Sequence, residues 1–77
     1  MRKIVISLTP ESSRAARAIM KWSIRGLASK SGIAASTVYT LERGRTISDT
    51  SKAKIVAALN AHGVQVLAGG AQRVPTG

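Results

Sequence analysis

SIRGLASKSGIAASTVYTLERG, from Ser23 to Gly44, is the stretch that decides how this chain folds. It reads as two short helices about a tight turn. Leu27 and Ala28 aim the first helix at a core, Gly32 makes the bend, and Ile33 plugs it. Val38 and Leu41, three residues apart, share one face and anchor the second helix. The positions between those anchors, Ala35, Ser36, Tyr39 and Thr40, are small or hydrogen-bonding. An ordinary solvated helix would carry Lys or Glu there.

The spacing has physical reasons. Two helices that cross closely need a small residue at the contact, and Ala28 supplies it. Four residues later the chain must reverse, which is easiest through a residue that tolerates positive φ, and Gly32 does. Ser23 is a good N-cap for the first helix, and Gly44 is suited to close the second. The expectation is a helix-turn-helix whose second helix faces DNA.

At this point the residues resemble a known family. Ser23, Leu27, Ala28, Gly32, Ile33, Thr37, Val38, Leu41, Glu42 and Gly44 match the pattern of phage-repressor and Cro-type (XRE-like) helix-turn-helix regulators. Two positions depart from it. Ile24 stands where relatives carry a phosphate-contacting Gln, and Ala34 replaces the usual Ser or Thr cap of the recognition helix. The resemblance spans roughly residues 10 to 74. It implies that an Arg on the first helix pairs with the Glu that ends the recognition helix, here Arg17 with Glu42. It also implies binding as a homodimer to paired half-sites.

Composition bounds the rest. A chain of 77 residues has room for one domain and one small core. Phe is absent, so that core must come from Ile, Val, Leu, Ala and Met around the single Trp22. Twelve Lys and Arg against three acids give a net charge of +9, which favours a polyanion partner and salt-sensitive association. The basic residues are scattered over the domain rather than gathered in one tail. Cysteine is absent, which leaves disulfides and thiolate metal sites out of account. No apolar run approaches the length of a membrane span, and Ile4-Val5-Ile6 is too short for a signal-peptide core, so a cytoplasmic protein is expected. Glu11, Glu42, Asp49 and His62 are far apart in sequence, and no catalytic residue, metal or cofactor is expected. His62, just before Gly63, suits a helix C-terminus.

Outward from the motif, Ile4 to Ser7 reads as a short strand, preceded by Arg2 and Lys3 as a basic arm. Thr9-Pro10-Glu11 is a helix start, and the helix runs to about Lys21 with Ala15, Ala16, Ile19 and Met20 inward. Trp22 reads as a plug between the first two helices. Beyond Gly44, Ile47 returns to the core and Ser48 to Thr50 offer a cap. A fourth helix, about Thr50 to His62, turns Ala53, Ile55, Val56 and Leu59 inward, with Lys52 and Lys54 outward. Val64 to Leu67 reads as a strand, Ala68-Gly69-Gly70 as a turn, and Ala71 to Val74 as a return strand. Residues 75–77 read as a loose tail.

The expected fold is mainly α: a single four-helix domain over residues 1–77 with short β segments at both ends. The expected function is sequence-specific binding of double-stranded DNA by a transcriptional regulator, a repressor, that lays the helix 35–43 in the major groove. Ala35, Ser36, Tyr39 and Thr40 are the base-contact candidates. Arg25, Lys30, Thr37, Arg43 and Arg45 are the phosphate-contact candidates. Strands Ile4–Ser7 and Val64–Leu67 are expected to pair with a second copy on an inverted-repeat operator. With no room for a ligand-sensing domain, concentration is the expected control variable. Two other classes remain open: a protein-binding module such as an antitoxin or antiactivator, and nonspecific coating of DNA or membrane by charge.

Overall fold

Local chemistry starts three of the four helices among the described residues. In the computed structural model, which describes residues 8–74, the first helix, α1 (Pro10–Met20), opens with a capping box. Thr9 Oγ1 accepts from the Ser12 amide at 3.0 Å, and Ser12 Oγ accepts from the Thr9 amide at 2.7 Å. Pro10 occupies the first helical position, where its missing N–H costs nothing. The helix stops at Lys21, a non-glycine residue held in the left-handed region at φ 59°. There the Trp22 amide donates to the Arg17 carbonyl at 2.9 Å.

Ser23 then caps α2 (Ile24–Ser31), its hydroxyl accepting from the Gly26 amide at 3.0 Å. Gly32, at φ 72°, makes the bend into α3 (Ala35–Glu42). Ala34 makes no side-chain cap there, so α3 begins without that stabilisation. α4 (Asp49–Ala61) is capped by Ser48, which accepts from the Ser51 amide at 3.1 Å. Asp49 stands in its first turn, favourably placed at the positive end of the helix dipole. At the other end the His62 ring lies with Nδ1 2.8 Å from the Ala58 carbonyl. Two strands follow, β1 (Val64–Leu67) and β2 (Gly70–Arg73), paired antiparallel from Val64↔Arg73 to Leu67↔Gly70.

One core serves all these elements: Leu8, Ala16, Leu27, Ala28, Val38, Leu41, Ile47, Ile55, Leu59, Val64 and Val66. The alternation of β1 sends Val64 and Val66 into it and leaves Gln65 and Leu67 outside. The hairpin closes over α1. Thr9 Oγ1 donates to the Ala68 carbonyl at 2.7 Å, and Arg73 Nη2 donates to the Ile19 carbonyl at 3.1 Å. Among the described residues no helix is long and apolar enough to cross a membrane.

Several expectations need correction. Val64–Leu67 is used within the protomer along one edge, where it pairs with β2, and its valines fill the core. A two-residue loop, Ala68-Gly69, makes that local pairing the cheapest in chain entropy. On α1 the fully buried side chains are Ser12, Ser13 and Ala16; Ile19 and Met20 are half-buried but pack against the core, and Ala15 is half-buried. Those serines are buried because their hydroxyls find partners on the Thr9 backbone and on Glu42. Ala53 on α4 is exposed, because the face centred on Ile55 and Leu59 is narrow. Lys52 is half-buried rather than outward, 3.9 Å from Asp49. Trp22 packs partly against the core as a plug would, and its ring also meets His62 edge-on, with centroids 5.0 Å apart. The N-terminal strand Ile4–Ser7, the arm of Arg2 and Lys3, and the tail 75–77 lie outside the described residues.

Candidate nucleic-acid interface

α3 buries Val38 and Leu41 and turns Ser36, Tyr39 and Arg43 outward, with Ala35, Thr37 and Thr40 at the edges of that face. At 3.6 residues per turn, Ser36, Tyr39, Thr40 and Arg43 cover the arc opposite the core. The outward face carries no acid. Glu42, the one acid on the helix, is withdrawn, with a side chain only 6% exposed.

Three residues of α1 hold Glu42. Arg17 donates through Nε to Oε2 and through Nη2 to Oε1, both at 2.8 Å, a bidentate fork. Ser13 Oγ donates to Oε2 at 2.7 Å, and Arg14 Nη1 donates to the Glu42 backbone carbonyl at 2.7 Å. Burial pushes the Glu42 pKa up, but the hydrogen bonds from Arg17 and Ser13 and the charges of Arg17 and Arg14 outweigh it. The net position is below the ordinary value. The hydrogen bond to Glu42 holds the Arg17 pKa above its ordinary value, against the opposing effect of burial. The cluster clamps the C-terminal end of α3 to α1 and fixes how far the helix protrudes. The Arg17–Glu42 pair was expected; Ser13 and Arg14 were missed. Their signal was spacing, since Ser13, Arg14 and Arg17 lie within one helical turn.

The two flanks of α3 differ. On one, Thr40 Oγ1 donates to the Ser36 carbonyl at 2.8 Å. An open groove of about 270 Å³ runs beside it, lined by Ser36, Thr37, Thr40, Ile47, Ser48 and Ser51. On the other, Arg43 folds back on Tyr39, with Nη1 donating to the phenol oxygen at 2.8 Å.

The phosphate-contact candidates do not all gather on this face. Arg43 and Arg45 are exposed and follow directly on α3, and Gly44 at φ 86° lets the chain turn between them. Arg25 is exposed in the first turn of α2. Thr37 lines the groove. Lys30 lies over the Trp22 ring, 5.9 Å from its centroid, and Trp22 in turn meets His62 at the end of α4. That contact draws Lys30 to the Trp22 flank of α2. Ile24 packs partly against the core, so the start of α2 offers an aliphatic chain where an amide would reach out. Among the described residues, no three His, Cys, Asp or Glu side chains come together as a metal site. Comparison of the chain with protein-family models, curated proteins and solved structures returned no match.

Proposed function

We propose that this protein is a sequence-specific regulator of transcription, a repressor, that lays α3 in the major groove of duplex DNA. One observation carries the reading: α3 and its C-cap expose Ser36, Tyr39 and Arg43, with Thr40 at the edge of that face, while the helix's single acid is drawn inward and neutralised by Arg17. A face cleared of negative charge on a chain of net charge +9 suits a polyanion. Ala35, Ser36, Tyr39 and Thr40 are the proposed base contacts, and Arg25, Thr37, Arg43 and Arg45 the proposed phosphate contacts. Lys30 ranks behind these, given its place over Trp22. A helix of eight residues reads few base pairs, so the protein acts as a homodimer on an inverted repeat, in the cytoplasm where the chromosome lies.

Selection of bound duplexes from a random pool tests this. The expected result is one enriched inverted repeat, bound with an affinity that falls steeply with salt, the log–log slope being about −0.9 per phosphate contacted. Replacing Ser36 and Thr40 together with Glu should abolish enrichment. If no duplex is enriched, DNA reading by α3 fails and a protein-binding role takes its place.

A further inference from the structure

Tyr39 is the most exposed large apolar side chain among the described residues, at 51%, and it takes no part in the core. Its one structural relationship is with Arg43, one turn further along α3. The guanidinium carbon lies 5.3 Å from the ring centroid, and Nη1 donates to the phenol oxygen at 2.8 Å. Two contacts at once, one to the ring and one to the hydroxyl, restrict an arginine that would otherwise sample many rotamers.

The pair has a definite chemistry. The phenol oxygen accepts from Arg43 and keeps its own O–H to donate. Arg43 keeps the other four of its five N–H donors, on Nε, Nη2 and the second hydrogen of Nη1. Every remaining polar hydrogen of the pair is a donor, and the pair carries one positive charge. Its complement is a group offering adjacent acceptor atoms, which on duplex DNA means a backbone phosphate or the O6/N7 edge of guanine. Position separates the two. Arg43 lies eight residues beyond Ala35, about 12 Å along the axis at 1.5 Å per residue. When a recognition helix enters the groove, its N-terminal residues go deepest and its far end stands by the groove wall, where the phosphates are.

We propose that Tyr39 is a positioning residue that holds Arg43, and that the two together clamp one backbone phosphate. This rests on the DNA-binding reading above and deepens it. Tyr39 leaves the base-reading set, and sequence discrimination falls to the short side chains Ala35, Ser36 and Thr40.

The test is a double-mutant cycle on the selected duplex and on random duplex, using Tyr39→Phe, Tyr39→Ala, Arg43→Ala and the double change Tyr39→Ala/Arg43→Ala. Circular dichroism checks that each variant keeps its helices. Tyr39→Ala should weaken both duplexes equally, by about tenfold, the worth of one charge-assisted hydrogen bond. Tyr39→Phe, which keeps the ring, should fall between Tyr39→Ala and the wild type. Adding Arg43→Ala to Tyr39→Ala should cost little more than Arg43→Ala alone, and Arg43→Ala should make the salt slope shallower by about 0.9. One neutral methylphosphonate in the duplex should weaken the wild type and leave Arg43→Ala unaffected. Additive effects, or a Tyr39→Ala penalty confined to the selected sequence, would overturn the clamp while leaving the DNA reading intact. A 7-deazaguanine that weakens the wild type but not Arg43→Ala would move the pair to a base and overturn it too. Wild-type protein that binds no duplex would remove the reading and the clamp together.

Discussion

Arg17 grips Glu42 through two parallel hydrogen bonds, Nε to Oε2 and Nη2 to Oε1, each 2.8 Å long. The side chains are 22% and 6% exposed, so neither charge is freely hydrated. Removing one partner leaves the other buried and unpaired, which is costly, whereas removing both is not. Arg17→Met or Glu42→Ala alone should each lose about 3 kcal/mol of stability. The double variant should lose clearly less than the sum in urea denaturation, and simple additivity would show that the pair contributes no coupling.

The same cluster makes stability depend on pH. Burial would raise the Glu42 pKa, yet Arg17 and Ser13 hold it below the ordinary value, so the native state binds a proton less readily than the unfolded chain. Its contribution is fully present above the unfolded glutamate pKa of about 4.3, and is lost as pH falls through the lower folded value. Glu42→Gln should flatten the acid limb of the stability profile measured by thermal melts. An unchanged limb would assign acid sensitivity to other carboxylates.

Lys21 ends α1 in the left-handed region at φ 59°, a conformation that costs an L-residue with a side chain about 1–2 kcal/mol. Glycine escapes that cost but brings a floppier unfolded chain. Lys21→Gly should therefore raise stability by a net of about 0.5–1 kcal/mol, seen as a higher urea midpoint at unchanged slope. A lower midpoint would mean that the Lys21 side chain contributes more than its backbone costs.

Thr40 donates its hydroxyl proton to the Ser36 carbonyl, so on the exposed face it has a methyl group and an acceptor to offer. A methyl at that place suits the C5-methyl of thymine. In the selected duplex, replacing one thymine by deoxyuridine should cost the wild type about 1 kcal/mol, the worth of one buried methyl. Thr40→Ser should bind both duplexes equally. If Thr40→Ser still discriminates, another side chain reads that methyl.

β1 pairs with β2 along one edge, and the β-branched run Ile4-Val5-Ile6, proposed as the strand for a second copy, lies outside the described residues. Light scattering should find a dimer at micromolar concentration, and deletion of residues 1–7 should shift it to monomer. Half-site centres in the bound duplex should lie about 34 Å apart. A dimer that survives the deletion must be held by a helix face or by the hairpin.

Chemistry that acts over one or two helical turns was legible in the sequence. Residue order alone points to Thr9 and Ser23 as caps and to a cap within Ser48 to Thr50, to Gly32 and Gly44 as turn residues, and to Val38, Leu41, Ile55 and Leu59 as core. A cap or an apolar stripe needs only its near neighbours, so residue order is enough to find it. The same periodicity finds Ser36 and Tyr39 on the outward face of α3, whereas Thr40 is half-buried and Ala35 is half-buried against the core. The Arg43–Tyr39 contact has the same local character, at a spacing of four on one helix face.

Tertiary structure alone decided what lies far apart in sequence. Ser13 and Arg14 reach Glu42 across 29 and 28 residues, and they do so because α1 packs against the end of α3. Ser12 and Ser13 look like solvent residues until the partners that permit their burial are known. Only the folded chain brings Lys30 over the Trp22 ring. The hairpin bonds to both ends of α1, at Thr9 and at Ile19, across 59 and 54 residues. Local pattern shows which face of an element is apolar; only the packed arrangement determines which polar groups meet once those faces are buried.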